Sequence, residues 1–151
     1  GQNIGNANEE RARESFNKAM ILSVGIMVLL STGLMFLRAP IAGIFLDSDP
    51  DTLALAVKYL FFLLIGLPLM AIFQTFIGAF NGTGTTKYTF IVSVARLWLL
   101  RIPLILIFRQ FTDMGSSGIW TAMLISNFAI AFIAYFYYRK VEFKPRISLD
   151  I

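Results

Sequence analysis

The sequence predicts an all-α membrane protein, a polytopic bundle of about four transmembrane helices. Hydrophobic residues make up 57% of the 151 residues, whereas a soluble domain has roughly 45–50%. Mean hydropathy is +0.72. The apolar residues form runs of about 20 residues, the helical length that crosses a hydrocarbon core about 30 Å thick. Because lipid offers no hydrogen bonds to an open backbone, and the runs do not alternate as strands of a barrel would, we expect helices.

The spans and the polar segments between them give the domain organisation. The predicted spans are residues 19–37, 59–80, 88–108 and 118–138. They form a membrane bundle over residues 19–138, between a cytoplasmic loop at 1–18 and a cytoplasmic tail at 139–151. Polar turn sequences separate the spans at 47–52, 81–87 and 109–117.

Two segments flank the first span and differ from it in composition. Arg38, Pro40 and a short apolar piece at 41–46 follow it, and we expect this piece to lie near the membrane interface. Before the span, Glu14 precedes Lys18 by four residues, the favourable order for an ion pair on a helix.

Lys and Arg are unevenly distributed between the two predicted sides of the membrane. One side has only three, Arg38, Lys58 and Arg109, and the other has eight: Arg11, Arg13, Lys18, Lys87, Arg139, Lys140, Lys144 and Arg146. Cytoplasmic loops carry the excess of Lys and Arg, so we expect the richer side to be cytoplasmic and both ends of the chain to lie there. The predicted location is the cell (inner or plasma) membrane, with the basic tail on lipid head groups and not on nucleic acid.

The residue types present exclude most catalytic chemistry. The chain has no Cys and no His, which excludes thiolate and imidazole metal sites and nucleophiles paired with His. None of the four predicted spans contains Asp or Glu. We therefore expect no enzyme, no catalytic residue, no metal and no cofactor.

Two arginines lie within the third predicted span. A charge near the bilayer centre costs at least about 2.5–3.5 kcal/mol, so Arg96 and Arg101 need partners. In an α-helix, positions five residues apart are about 140° apart, so the two cannot share one narrow face and at least one should point into a bundle or cavity. They could pair with carbonyls between helices or line a pathway across the membrane.

Other polar or helix-bending residues are predicted at membrane depth. Gln74 and Asn127 suit hydrogen bonds between helices or the wall of a cavity. Pro103 cannot donate to the carbonyl of Leu99, so the guanidinium of Arg101 could bind the freed carbonyl and fix a bend.

Four motifs resemble those of the multidrug and toxic compound extrusion (MATE) family. Gly1-Gln2-Asn3-Ile4-Gly5 is similar to its "GQNxGAG" signature, with Gln2, Asn3 and Gly5 matching. The loop from Gly78 to Lys87, with Gly82 and Gly84, resembles its "GxLRGxGDTK" loop. Trp98 with Arg101-Ile102-Pro103-Leu104 resembles "WxxRIPL", and Gly118-Ile119-Trp120 resembles the opening of the last helix.

The resemblance implies a secondary active transporter with twelve helices in two bundles arranged as an inverted V. It would export organic cations and drugs in exchange for protons or sodium by alternating access. This chain would match helices nine to twelve, and its partners would be the N-terminal bundle, membrane lipids and small organic cations. Some members have a coupling Asp where this chain has Ala71, so the coupling ion is expected to bind outside this segment.

Two alternatives remain open from the sequence. One is a flippase of the same superfamily that moves lipid-linked oligosaccharides, because an intramembrane Arg pair suits anionic head groups. The other is a small structural membrane subunit that is complete at four helices.

The charge asymmetry makes a topology prediction. The chain has no Cys, so Ser48→Cys and Ser148→Cys each introduce a single thiol. Membrane-impermeant maleimide should label the first from outside intact cells and the second only after the membrane is opened. Labelling of both thiols from one side would contradict the predicted orientation.

Overall fold

Four helices make up the protein over residues 9–46 and 49–142, the residues that the computed structural model describes. They are α1 (Glu9–Leu46), α2 (Pro50–Gly82), α3 (Thr86–Phe111) and α4 (Ser116–Tyr138), each long and apolar enough to cross a membrane. Within α3, the stretches Thr86–Val94 and Ile102–Phe111 are α-helical and the stretch Ala95–Arg101 between them is π-helical. The predicted polytopic helical bundle is confirmed.

The first helix extends beyond its predicted span at both ends. Residues 9–18, whose charge spacing is compatible with a helix, form its first turns, and the Lys18 ammonium lies 2.7 Å from the Glu14 carboxylate. A second pair at the same spacing joins Arg13 to Glu9 at 2.9 Å. These pairs stabilise exposed helical turns that have few apolar residues to bury.

α1 also continues through Pro40 and through the short apolar piece at 41–46 that follows it. Pro40 lies inside the helix, which ends at Leu46. One proline removes one backbone donor, and the Arg38 guanidinium donates to the Met35 carbonyl of the preceding turn at 3.0 Å. Because leaving the helix would expose more backbone groups to lipid than the proline does, the helix persists.

An aromatic cluster joins all four helices at the end where α1 begins and α4 ends. The rings of Phe16 (α1) and Tyr138 (α4) stack with centroids 4.2 Å apart, and Tyr138 lies 5.5 Å from Phe76 of α2. Tyr88 of α3 completes the cluster, 5.8 Å from Phe80. Aromatic pairs at these separations add to the burial of their area. This cluster positions α3 against its neighbours.

Small residues let α4 approach α2 and α3 closely. A Cβ on Gly118 would lie 3.1 Å from Phe108 Cβ and 3.5 Å from Met114 Cβ. A Cβ on Gly66 would lie 3.2 Å from Leu124 Cδ2 and 3.9 Å from Asn127 Nδ2. Interfaces between membrane helices favour such residues, because packing replaces the hydrophobic effect there.

Large apolar side chains cover much of the outer surface, most of all on α1. Phe36 is 81% exposed, Phe45 79% and Leu29 76%. So much exposed apolar area is characteristic of a surface that meets lipid or another protein.

The close approach of α4 can be tested with one residue type at two glycines. Gly118→Leu should destabilise the protein by about 1–3 kcal/mol, because the new side chain meets the Cβ atoms of Phe108 and Met114. Gly25→Leu is the matched control, since nothing lies within 4 Å of its would-be Cβ. Thermal unfolding in detergent should give a lower midpoint for Gly118→Leu alone, and equal midpoints would contradict this packing.

Candidate functional site

The third helix widens into a π-helix over Ala95–Arg101. At its end the Ile102 N–H donates to the Leu97 carbonyl, five residues earlier instead of four. Pro103 follows directly, and a proline ring inside a helix clashes with the carbonyl four residues before it, here that of Leu99. The wider turn makes room for the ring, so the proline and the π-helix form one feature.

The π-helix changes the relation between the two arginines. The expected angle of about 140° assumes an α-helix, and the π-helical bonding between the two residues makes that angle smaller. They still do not share one face, because they contact different helices. Both side chains lie between helices: Arg96 contacts α2 and Arg101 contacts α4.

Arg101 is held by two buried side chains of α4. Its Nη2 donates to Asn127 Oδ1 at 2.8 Å, and its Nε donates to Ser126 Oγ at 3.2 Å. Ser126 in turn donates to the Met123 carbonyl at 2.9 Å. We call Arg101, Ser126 and Asn127 the polar node. Among the described residues the guanidinium binds these side chains and not the carbonyl of Leu99, which corrects the expectation that it fixes the bend through freed carbonyls.

Arg96 has a different environment, formed by apolar side chains of α2. Its guanidinium carbon lies 4.3 Å from the ring centroid of Phe73, a cation–π contact. Its Nη1 lies 3.2 Å from Met70 Sδ, a weak acceptor. Its Nε is buried and has no hydrogen-bond partner among the described residues. Arg96 is therefore stabilised only in part.

Gln74 lies apart from the polar node, in a groove between α1 and α2. The groove has a volume of about 600 Å³, and Gln74, Ser23 and Thr75 are among its lining residues. The hydroxyls of Ser23 and Thr75 are 3.0 Å apart and hydrogen-bonded across the two helices, while the Gln74 residue is exposed. Met70 also lines this groove, so it separates the groove from Arg96.

The loop glycines form a turn at the start of α3, outside both of these sites. Gly82 ends α2, and Gly84 has a φ of 68°, a left-handed conformation that favours glycine. The turn is closed by Thr85, whose N–H and hydroxyl both donate to the Phe80 carbonyl, at 2.8 and 3.0 Å. Gln2, Asn3 and Gly5 lie outside the described residues.

Sequence reasoning identified Arg101 and Asn127 but not that they bind each other, and it missed Ser126, Phe73 and Met70. Ser126 could have been found as the hydroxyl beside Asn127. Phe73 and Met70 carry no sequence signal, because an apolar residue in an apolar span looks like any other. Over residues 9–46 and 49–142, no group of three or more His, Cys, Asp or Glu side chains could hold a metal ion.

Comparisons with known proteins place the chain beside multidrug-resistance proteins. Residues 1–107 match the MatE family model. The chain is 26% identical over 148 residues to "Probable multidrug resistance protein NorM" of Bacillus subtilis, with 98% of the chain and 32% of that protein covered. It is 32% identical over 139 residues to the protein of the same name in Photorhabdus laumondii, with 87% of the chain and 29% of that protein covered.

A human protein is also similar. "Multidrug and toxin extrusion protein 2" is 27% identical over 144 residues, with 89% of the chain and 23% of that protein covered. The chain thus spans about a third or less of the length of the curated relatives it matches. No solved structure matches it.

The polar node predicts strong coupling between Arg101 and Asn127. Arg101→Ala leaves the buried Asn127 amide without its partner, and Asn127→Ala leaves Arg101 with Ser126 alone, so each change should cost about 1–3 kcal/mol of unfolding free energy. The double change Arg101→Ala/Asn127→Ala should cost less than the sum of the two. Thermal unfolding of the four proteins in detergent measures this, and additive effects would show that the two side chains do not depend on each other.

Proposed function

The chain belongs to the MatE family, a family of transporters and not of enzymes, and from that membership we propose that it forms part of a multidrug exporter. The observation that carries the proposal is the family match over residues 1–107, because it covers α1, α2, most of α3 and both arginines. The names of the bacterial and human relatives, which refer to multidrug resistance and toxin extrusion, indicate the cargo.

The rest of a larger transporter would supply the helices that this chain does not contain. The chain spans about a third or less of its relatives, and α1 exposes large apolar side chains along its length. We place its helices as the ninth to twelfth of a twelve-helix transporter, with an N-terminal bundle as partner and lipids around both. The protein would lie in the cell membrane with both chain ends in the cytoplasm.

The transport mechanism we propose is alternating access, with organic cations exchanged for protons or sodium. The predicted spans contain no Asp or Glu, so the coupling ion would bind a carboxylate in the rest of the transporter. This chain would contribute a helix whose shape is fixed at its π segment. The polar node holds that segment against α4, and breaking it would let α3 bend at Pro103.

We propose small organic cations as the substrate class, as the resemblance of the motifs to the MATE family implies. A lipophilic cation binds through apolar contact and cation–π attraction, with a few hydrogen bonds to orient it.

The structure favours the exporter over the flippase alternative. A flippase would need both arginines available for an anionic head group, but Arg101 is already bound by Ser126 and Asn127. The structural-subunit alternative has no observation in its favour, since the bacterial and human relatives are named for multidrug resistance and toxin extrusion.

The proposal predicts that Arg101 is required for transport. In the full-length transporter, Arg101→Ala and Arg101→Lys should both reduce ethidium efflux by about tenfold, since lysine keeps the charge but cannot reach Ser126 and Asn127 together with a planar fork. Arg109→Ala and Arg109→Lys are the matched controls, because Arg109 is exposed near the end of the same helix.

Efflux is measured in cells, and membrane insertion is checked by the amount of protein in purified membranes. If Arg101→Ala inserts normally and exports ethidium at the parent rate, the polar node is ordinary packing. If the parent itself exports no organic cation, the proposed function is wrong.

A further inference from the structure

We propose that Arg96 is the binding site for a carboxylate carried by a transmembrane helix outside residues 1–151, which docks in the groove between α1 and α2. The inference rests on the proposed function, in that it needs a larger transporter to supply the helix. It adds a specific contact between the two parts.

The first step of the argument is the incomplete environment of Arg96. The Phe73 ring covers one face of the guanidinium, and Met70 Sδ is its hydrogen-bond acceptor at 3.2 Å. Nε, buried in the structure, has no partner among the described residues. A guanidinium has five N–H donors and no acceptor, so an aromatic face and a thioether leave most of its donors unused.

Arg101 lies one π-helical turn away in the same helix and has the oxygen acceptors that Arg96 lacks. Two oxygen acceptors on α4 bind it, at 2.8 and 3.2 Å. The two residues lie in similar apolar surroundings and differ in the acceptors within reach. The difference between the two arginines is therefore that no oxygen acceptor lies within reach of Arg96 among the described residues.

The counterion cannot come from the spans of this chain. The predicted spans contain no Asp or Glu, and the acidic residues that the structure describes lie before the first span, in or beside the loops, or after α4: Glu9, Glu10, Glu14, Asp49, Asp51, Asp113 and Glu142. A charge at membrane depth without a counterion is costly, so a membrane protein that retains one has a partner for it elsewhere.

The position of Arg96 favours a protein carboxylate over a lipid phosphate. Arg96 is nine residues after Lys87, which puts it roughly 13 Å along α3 at 1.5 Å per residue. Its guanidinium points at α2 and not toward the end of the helix. A side chain on a neighbouring helix can reach that depth between helices, whereas a phosphate remains at the membrane surface. An organic cation has the wrong charge.

The groove gives such a helix its route to Arg96. Met70 lines the groove and also touches Arg96, so a carboxylate that displaces this flexible thioether reaches the guanidinium. Several groove residues are small, including Ala19, Gly78 and Ala79, which lets another helix backbone come close. The Met70 side chain therefore lies between the groove and the unused N–H donors of Arg96.

The test is a set of double-mutant cycles in the full-length transporter, read by thermal stability. Each intramembrane Asp or Glu outside residues 1–151 is changed to Asn or Gln, once in the parent and once with Arg96→Gln. Arg96→Gln alone should lower the apparent Tm by several degrees. For one acid, neutralisation should lower the Tm in the parent but not further in Arg96→Gln, because the two changes remove one interaction.

Two further variants keep the result interpretable. Arg96→Glu should unfold at a lower temperature still, and changing the identified acid to Arg should restore part of the loss. Arg109→Gln is the matched control and should couple to no acid. The readout involves no drug, so coupling in a protein that exports nothing would overturn the proposed function and leave this inference standing.

Three outcomes would overturn the inference. One is that every acid is additive with Arg96→Gln, or that no intramembrane acid exists outside residues 1–151. Another is that Arg96→Gln leaves the Tm unchanged. The third is that the effect of Arg96→Gln on Tm is seen only when phosphatidylglycerol is added to the detergent, which would identify a lipid phosphate as the counterion.

Discussion

Hydrocarbon provides no hydrogen-bond partner, so the polar groups of the spans have to be satisfied by the protein itself, and much of this structure follows from that requirement. It is the reason that all four spans are helices and that α1 stays helical through Pro40. Hydroxyls turn back to their own helix: Ser31 donates to the Val28 carbonyl at 3.2 Å and Thr75 to the Ala71 carbonyl at 2.8 Å. Between helices the same requirement draws Arg101 to Ser126 and Asn127. That link is specific because only a few oxygens are within reach at this depth.

The polar node and the aromatic cluster stabilise different parts of the bundle. The cluster gathers all four helices near the turn that contains Gly84, with rings that fill space and need few polar partners. The node then fixes α3 to α4 farther along the bundle. α1 packs mainly on α2, through the Ser23–Thr75 hydrogen bond and apolar contacts. α1 and α2 therefore form the most extensively packed pair of helices, and α4 packs on both α2 and α3.

Features that depend on local composition could be predicted from the sequence, and features that depend on how the helices pack could not. The four spans were predictable, because hydropathy and length determine them almost alone. The turn with Gly84 was predictable as a turn from its Gly and Thr residues. The π-helix was not, since the angular argument about Arg96 and Arg101 assumed regular α-helix and a proline after an arginine does not reveal how the helix adapts. Arg101 and Asn127 were each identified as polar residues at membrane depth. Their pairing depends on how α3 and α4 face each other, which a single sequence does not contain.

The π segment has a consequence for how the chain tolerates changes in length. A π turn holds one residue more than an α turn, so Ala95–Arg101 stores that residue in the middle of a membrane helix. Deleting one residue there would restore a regular α-helix while the residues on either side kept their own helical conformation. Because the deleted residue is the one that the wide turn holds in excess, the residues before and after it would keep about the faces that they have now. The same deletion in a regular α-helical stretch of α3 would turn everything before it by about 100° relative to everything after it. The π segment is therefore where the loss of one residue from α3 would least disturb its packing against α2 and α4.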